Sequence, residues 1–152
     1  MKRIKNAENR MELCLPALSV NEGVARAAVA VFCAQLDPCA TELADVKCAV
    51  SEAVTNCIVH AYRHKRGNIY ITASGLPGRR LRVVVRDTGC GIEDVERARE
   101  PLYTTDPAGE RSGMGFAVME SFMDRLCVRS RKGEGTIVVM TKQFGMGDEP
   151  CG

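Results

Sequence analysis

Residues 83–91 read Val83-Val84-Val85-Arg86-Asp87-Thr88-Gly89-Cys90-Gly91, a β-branched run that ends in an acid and two spaced glycines. β-Branched residues favour a strand, so Asp87 is predicted at the carboxyl end of one. A carboxylate there can accept a hydrogen bond from an exocyclic amine, and glycines let backbone approach a flat ring closely. A simple turn at the end of a strand uses the same residues. This stretch therefore leaves a turn and a nucleotide site both open.

Upstream, the segment Ser51-Glu52-Ala53-Val54-Thr55-Asn56 lies in a helix predicted from about Thr41 to Tyr62. Glu52 and Asn56 are four residues apart and therefore share one helix face, which His60 extends by a turn. The predicted core face of this helix comprises Val46, Ala49, Val50, Ala53, Cys57 and Ile58. An acid and an amide at this spacing also occur on solvated helix faces, so the pair is a candidate site only in combination.

Downstream, Arg111-Ser112-Gly113-Met114-Gly115-Phe116 opens a helix predicted over residues 114–123. Glycines before a helix N-terminus expose backbone N–H groups, and the helix dipole favours anions there. Arg111 adds a charged donor suited to a terminal phosphate. The segment lacks the Gly-Lys-Ser/Thr of a Walker A loop. A flexible hinge remains the alternative for these glycines.

The remaining pattern predicts an α+β fold: a two-layer sandwich with a mostly antiparallel sheet and helices on one face. The predicted strands cover residues 11–17, 68–74, 80–87, 125–131 and 135–142, the last four forming two hairpins. A first helix runs from about Val20 to Leu36, with its apolar face formed by Val20, Val24, Ala27, Ala28, Val31 and Phe32. The long polar stretch 88–113 is typical of an active-site lid.

Composition excludes several classes of protein. The chain has 152 residues and a formal net charge of +2, which gives no reason to expect a nucleic-acid surface. No apolar run reaches the roughly 18 residues that span a bilayer, and residues 1–12 lack the apolar core of a signal peptide. We therefore expect a cytoplasmic protein with no membrane partner. The eight cysteines form no CxxC pair, and we expect them to be reduced and mostly buried small apolar residues, with Cys90 and Cys151 as the exposed exceptions.

The order of these motifs resembles that of the GHKL superfamily of ATPases and kinases. The order is E-x-x-x-N on a helix, D-x-G-x-G after a strand, a lid, and G-x-G before a helix. Within it, the chain closely resembles the sporulation anti-sigma-F factors. The similar segments are Asn21-Glu22, Leu36-Asp37-Pro38, 51–56, Arg99-Glu100-Pro101-Leu102, Thr104-Thr105 and 110–116. The resemblance covers residues 11–143 as one GHKL domain, and residues 144–152 are expected to form a disordered tail.

This resemblance implies the Bergerat ATP-binding sandwich, with ATP or ADP and Mg²⁺ as cofactors. Asn56 would bind Mg²⁺, and Glu52 would be the general base that takes the proton of a substrate serine. Arg111 would hold the terminal phosphates and assist catalysis. The other implied nucleotide contacts are Asp87 with the adenine amine, Gly89 and Gly91 against the base, Thr104 and Thr105 in the lid, Ser112, Gly113, Met114, Gly115 and Phe116 around the phosphates, and Thr136 in the adenine pocket.

The resemblance also implies partners. The family binds a sigma factor as a homodimer with ATP, and it phosphorylates an anti-anti-sigma protein on serine, which releases that protein. Arg26 stands where the family has an arginine that contacts partner proteins. Direct binding of nucleic acid is not expected.

Three alternatives stay open. The chain could be a stress-response anti-sigma kinase of the same family, or a sigma-binding module that ATP shapes and that transfers no phosphate. A sensor histidine kinase domain is a third reading, disfavoured because the histidines, His60 and His64, both lie beside the nucleotide helix. Glu52 favours the serine kinase over the pure binding module, since a module needs no base there.

Overall fold

The structure is a computed structural model that describes residues 7–100 and 115–145. It contains five strands, four α-helices and one π-helical segment, taken over these residues. Their bounds are β1 Asn9–Pro16, α1 Val20–Ala34, α2 Ala40–Asn56, the π segment Cys57–Ala61, β2 Asn68–Leu76, β3 Arg80–Asp87, α3 Val95–Ala98, α4 Gly115–Phe122, β4 Arg125–Arg131 and β5 Gly135–Gln143.

The strands form one sheet in the order β1-β2-β3-β5-β4, and all the pairs are antiparallel. Two of the connections are the predicted hairpins. In the first, Gly78 and Arg79 both take positive φ, 79° and 57°, which a tight turn requires. Helices α1 and α2 pack together, α2 contacts α4, and the apolar core lies between these helices and one face of the sheet. The predicted α+β sandwich is thus confirmed.

Helix α2 buries the face that the sequence predicts. Its buried residues are Val46, Ala49, Val50, Ala53 and Val54, and Cys57 and Ile58 continue that face in the π segment. They meet the inward residues of the central strands, which are Ile69, Ile71, Ala73, Leu81, Val83 and Val85. The predicted helix to Tyr62 is therefore correct in its core face, but its last turn is π-helical rather than α-helical.

Helix α1 buries a different face from the predicted one. Its buried residues are Ala25, Val29, Phe32 and Cys33, and only Phe32 was on the predicted face. Val20 and Val31 are instead 73% and 77% exposed, and Val24 is exposed as well. The reason is that α1 is apolar nearly all round, so two stripes satisfy the helical period. Periodicity does not decide between them.

Two further expectations need correction. Phe144, which we placed in the tail, is only 2% exposed, and its N–H donates to Arg79 O at 2.9 Å. It belongs to the core because it directly follows β5 and its ring lies on the face of the sheet that the helices cover. Among the described residues, six cysteines are free, as expected, but Cys39 is disulfide-bonded. Cys14, Cys48 and Cys127 are exposed rather than buried, because they lie on the outward sides of β1, α2 and β4. In the described ranges no helix is long and apolar enough to cross a membrane.

Candidate active site

The site begins with Asp87, the last residue of β3. Its side chain is 5% exposed, and Oδ1 accepts hydrogen bonds from Gly89 N at 2.9 Å and Thr136 N at 3.2 Å. Thr136 is the partner of Asp87 in the β3–β5 pairing, so the sheet register fixes the second bond. The carboxylate is therefore held in one place by two backbone donors, one from the turn after β3 and one from β5.

Cys57 is a buried neighbour that affects the Asp87 carboxyl, and its thiol donates to Ala53 O. Cys57 follows Asn56 directly, is 3% exposed, and its Sγ lies 3.4 Å from Ala53 O. Burial raises the pKa of Asp87 above 3.8, although the backbone N–H of Gly89, the Cys57 side chain, the backbone N–H of Thr136 and the charge of Arg86 oppose that rise. Burial, followed by the charge of Asp87, raises the pKa of Cys57 well above 9.0, so Cys57 stays a thiol donor. The sequence did not single out Cys57 for this role.

The glycines after Asp87 are required by contacts with the chain's own backbone. A Cβ on Gly89 would lie 2.4 Å from Ala61 O, and one on Gly91 would lie 1.9 Å from Arg131 O. Gly91 also has a φ of 73°. These contacts press the turn against the π segment on one side and β4 on the other. A contact of Gly89 and Gly91 with a bound base stays a prediction.

Tyr62 ties the same turn to the end of the π segment. Its hydroxyl donates to Asn68 O at 2.6 Å and accepts from Thr88 N at 2.8 Å. The C-terminal turn of the π segment aims the ring at this point, and π-helical turns are frequent at functional sites. The sequence signal for Tyr62 is its position at the end of the predicted helix that carries Glu52.

Glu52 and Asn56 meet the start of α4. A Cβ built on Gly115 would lie 3.2 Å from Asn56 Oδ1 and 3.3 Å from Glu52 Oε2. The last glycine of the G-x-G motif therefore lies directly against the face shared by the acid and the amide. Two motifs that are far apart in sequence come together here.

The predicted site residues thus separate into three groups. The first group is described by the contacts above: Gly115 lies against Glu52 and Asn56, Asp87 binds Gly89 and Thr136, and Gly91 packs against Arg131. Phe116, next to Gly115, is largely buried in the core, and Arg26 lies on α1, where it pairs with Glu22 at 3.0 Å. Outside the described residues lie Thr104, Thr105, Arg111, Ser112, Gly113 and Met114.

Asp87 and Asn56 have the chemistry to fit a nucleotide and a magnesium ion. Asp87 is a buried acceptor beside a turn of close-packed glycines, which suits an amine on a flat ring. The amide oxygen of Asn56 is a hard ligand of the kind that Mg²⁺ accepts. Across residues 7–100 and 115–145, no group of three or more His, Cys, Asp or Glu could hold a metal. A magnesium ion carried by phosphates and waters needs only one or two protein ligands, so Asn56 suffices.

Comparison with known proteins identifies the family. The family model of the histidine kinase-like ATPase domain matches residues 15–142. The anti-sigma F factor of Clostridium acetobutylicum is 54% identical over 139 residues, 91% of this chain and 96% of the relative. That of Caldanaerobacter subterraneus is 56% identical over 137 residues, 90% of this chain and 95% of the relative.

Solved structures share the fold at lower identity. The RsbU and RsbW domains of a Mycobacterium tuberculosis protein are 20% identical, with a TM-score of 0.65 over 89% of this chain and 32% of that one. Full-length ShkA in complex with AMPPNP is 19% identical, with a TM-score of 0.56 over 91% of this chain and 32% of that one. Fold, motif contacts and relatives agree: the chain belongs to the histidine kinase-like ATPase domain family, among the relatives called anti-sigma F factors.

Proposed function

We propose that the protein is a cytoplasmic anti-sigma factor and protein-serine kinase. It sequesters a sporulation sigma factor of the F type and phosphorylates the anti-anti-sigma protein that opposes it, using ATP and Mg²⁺. The relatives at 54–56% identity support the sigma-binding part. The kinase part is supported by the contact of Gly115 with both Glu52 and Asn56, and this is the observation that carries the proposal.

Adenine recognition is assigned to Asp87. Its carboxylate accepts from Gly89 N and Thr136 N through Oδ1, which fixes the direction of its remaining lone pairs. A purine amino group is a donor, whereas the carbonyl oxygen at the same position of guanine is an acceptor. A buried carboxylate therefore favours ATP over GTP, because guanine would leave two acceptors facing each other without a donor.

Phosphoryl transfer is assigned to Glu52 and Asn56. MgATP supplies the phosphoryl group and the positive charge that stabilises the phosphates. Asn56 holds the metal through its amide oxygen, and Glu52, one helix turn earlier, accepts the proton of the substrate serine. The bond from that serine Oγ to the γ-phosphorus forms as the bond from the γ-phosphorus to the ADP oxygen breaks. Arg111, by the family resemblance, steadies the terminal phosphates.

Helix α1 offers the surface for protein partners. The exposed large apolar residues here are Leu18, Val20, Val24 and Val31. Val20, Val24 and Val31 form one stripe along α1, which we call the α1 stripe. Such a stripe on a soluble protein is typical of an interface. Arg26 lies on another side of α1, about 140° around the helix from the stripe, and is half-exposed. We assign the stripe to the homodimer contact and Arg26 to the contact with sigma or the anti-anti-sigma protein.

The test uses the sigma-F and anti-anti-sigma proteins from the organism of a 54% identical relative. The wild-type chain is incubated with γ-labelled ATP, Mg²⁺ and each protein, and labelled phosphoserine is measured. Label on the anti-anti-sigma protein only, together with capture of sigma-F in the presence of ATP, supports the proposal. Capture of sigma without label favours the binding module. Capture of a stress-response sigma factor in preference to sigma-F favours the other branch of the family.

A further inference from the structure

The outer face of the sheet, opposite the helices, carries an ordered group of arginines. Residues alternate between the faces of a strand, so Arg82 and Arg86 on β3 and Arg125 and Arg129 on β4 all lie on this outer face. Register pairs Arg82 with Thr141 and Thr141 with Arg125, and it pairs Arg86 with Ile137 and Ile137 with Arg129. The four arginines therefore occupy the corners of a rectangle, which we call the arginine frame.

The size of the arginine frame follows from sheet geometry. Across the strands, β5 lies between β3 and β4, so paired corners are about 10 Å apart at the usual strand spacing. Along the strands, corners four residues apart are separated by about 13 Å. An α-helix is about 10–12 Å wide and rises about 10.5 Å in seven residues. A helix lying across the strands would thus fit between the two rows of arginines.

The floor of the arginine frame is apolar. The row between the two pairs of arginines consists of Val84, Val139 and Cys127, which are register partners. Cys127 is exposed, Val139 is half-buried, and Ile137 in the next row is 37% exposed. Further along the same face, Thr72 and Ser74 of β2 are buried. The accessible apolar surface therefore lies at the β5–β4 side of the sheet.

The charge of the arginine frame is unbalanced. Among the described residues, none of its four guanidinium groups has an ion-pair partner. Arg86 instead stacks over the ring of Tyr70, with its carbon 4.1 Å from the ring centroid. The described strands place one acid on this face, Glu12 on the distant β1, and that acid pairs with Arg10. Four cations around an apolar floor are complementary to an anionic, amphipathic ligand.

We propose that the arginine frame is a docking site for an acidic amphipathic helix of a partner protein. The apolar stripe of that helix lies on Val139, Cys127 and Ile137, since Val84 is only 5% exposed, and carboxylates seven residues apart on its two flanks meet the guanidinium groups. A nucleic acid fits less well, because phosphates would contact the arginines and leave the apolar floor uncovered. The site lies on the face opposite Asp87 and away from α1, so it is independent of the proposed kinase and sigma-binding function.

The test is binding of a synthetic 21-residue helix with a leucine stripe flanked by glutamates seven residues apart. It is measured by fluorescence anisotropy with the full-length chain, alongside the same peptide with lysines and a scrambled peptide of equal composition. The expected result is at least tenfold tighter binding of the glutamate peptide than of either control. The affinity should fall as salt rises, because ion pairs are screened. Methyl resonances of Val139 and Ile137 should shift on titration.

A double variant with Arg125→Gln and Arg129→Gln should bind the peptide at least fivefold more weakly. The matched control, Lys65→Gln with Arg66→Gln, removes the same charge from an exposed loop and should bind like the wild type. Unchanged thermal unfolding of both variants shows that the fold is kept. Equal binding by the two double variants would overturn the proposal, as would peptide-induced shifts confined to Val20, Val24 and Val31. Tighter binding of a single-stranded oligonucleotide than of the glutamate peptide would also overturn it.

Discussion

Replacing Asp87 by asparagine should separate nucleotide recognition from stability. The asparagine carbonyl oxygen can still accept from Gly89 N and Thr136 N, which are 2.9 and 3.2 Å from Oδ1 in the wild type. The amide nitrogen then takes the other position and faces the adenine amine, which is also a donor. One unmet donor in a buried pocket costs about 1–3 kcal/mol. The affinity for ADP should therefore fall by roughly 5- to 150-fold.

The same substitution should leave the free energy of unfolding unchanged or raise it. Burial raises the pKa of Asp87 above 3.8, so the folded chain holds this proton more tightly than the unfolded chain. The stability linked to that proton is full below the unfolded pKa and is lost as pH rises through the folded pKa. Asparagine stays neutral at every pH, so the variant does not lose this contribution to the free energy of unfolding. The Cys57 thiol keeps an acceptor, since Ala53 O lies 3.4 Å from Sγ.

Two measurements check this reasoning: calorimetric titration with ADP and GDP at neutral pH, and urea unfolding between pH 3 and pH 8. Asp37→Asn is the matched control, because Asp37 is exposed and its φ of 56° suits asparagine. It should bind ADP like the wild type. Wild-type affinity for ADP in Asp87→Asn would refute the adenine role. A large loss of stability at neutral pH would instead make Asp87 a structural residue.

Four further changes test other parts of the structure. Tyr62→Phe removes the hydroxyl that joins Thr88 N to Asn68 O, and it should lower the free energy of unfolding in urea by about 1–3 kcal/mol. Gly115→Ala puts a methyl 3.2 Å from Asn56 Oδ1 and should slow phosphoryl transfer. The control Gly23→Ala puts a methyl 3.8 Å from its nearest atom and should not slow it. Equal transfer rates in the two variants would contradict the role of the Gly115 contact. Asn56→Ala should abolish the Mg²⁺ dependence of nucleotide binding while circular dichroism stays native; retained dependence removes Asn56 from the metal site. Val31→Asp should shift the chain towards monomer in analytical ultracentrifugation without changing ADP affinity, and an unchanged mass would exclude the α1 stripe from the dimer.

Much of the fold was predictable because its signals are local. Strands β2, β3 and β5 are rich in β-branched residues, both hairpins have turn residues between their strands, and β4 matches its predicted bounds, Arg125–Arg131. The core face of α2 was predicted because its polar side carries Glu52 and Asn56, leaving a single apolar stripe. Helix α1 lacks such a polar side over its length, so the sequence allows two faces. The face that remains exposed is the one that we assign to partners.

The site was predictable in its motifs but not in its supports. Glu52, Asn56 and Asp87 are recognisable because chemistry restricts the residue types at their spacing. Cys57 and Tyr62 act on Asp87 and Thr88, about 25 to 30 positions away, and helix or strand periodicity does not predict contacts at such a separation. The glycines were assigned to a bound base, whereas the structure shows that Gly89 is already required by Ala61 O. That requirement depends on the π segment, which the sequence pattern does not distinguish from α-helix.

The most direct test of the central claim, that this chain is a serine kinase as well as a sigma-binding protein, is the rate of phosphoryl transfer by Glu52→Ala. Loss of a general base costs about 10²- to 10⁴-fold in rate, whereas binding of ATP and sigma does not use that carboxylate. The account predicts that the variant binds both like the wild type and phosphorylates the anti-anti-sigma protein at least a hundredfold more slowly. A wild-type rate would contradict the assignment of Glu52 as the base, and loss of ATP binding would make it a structural residue of the nucleotide site.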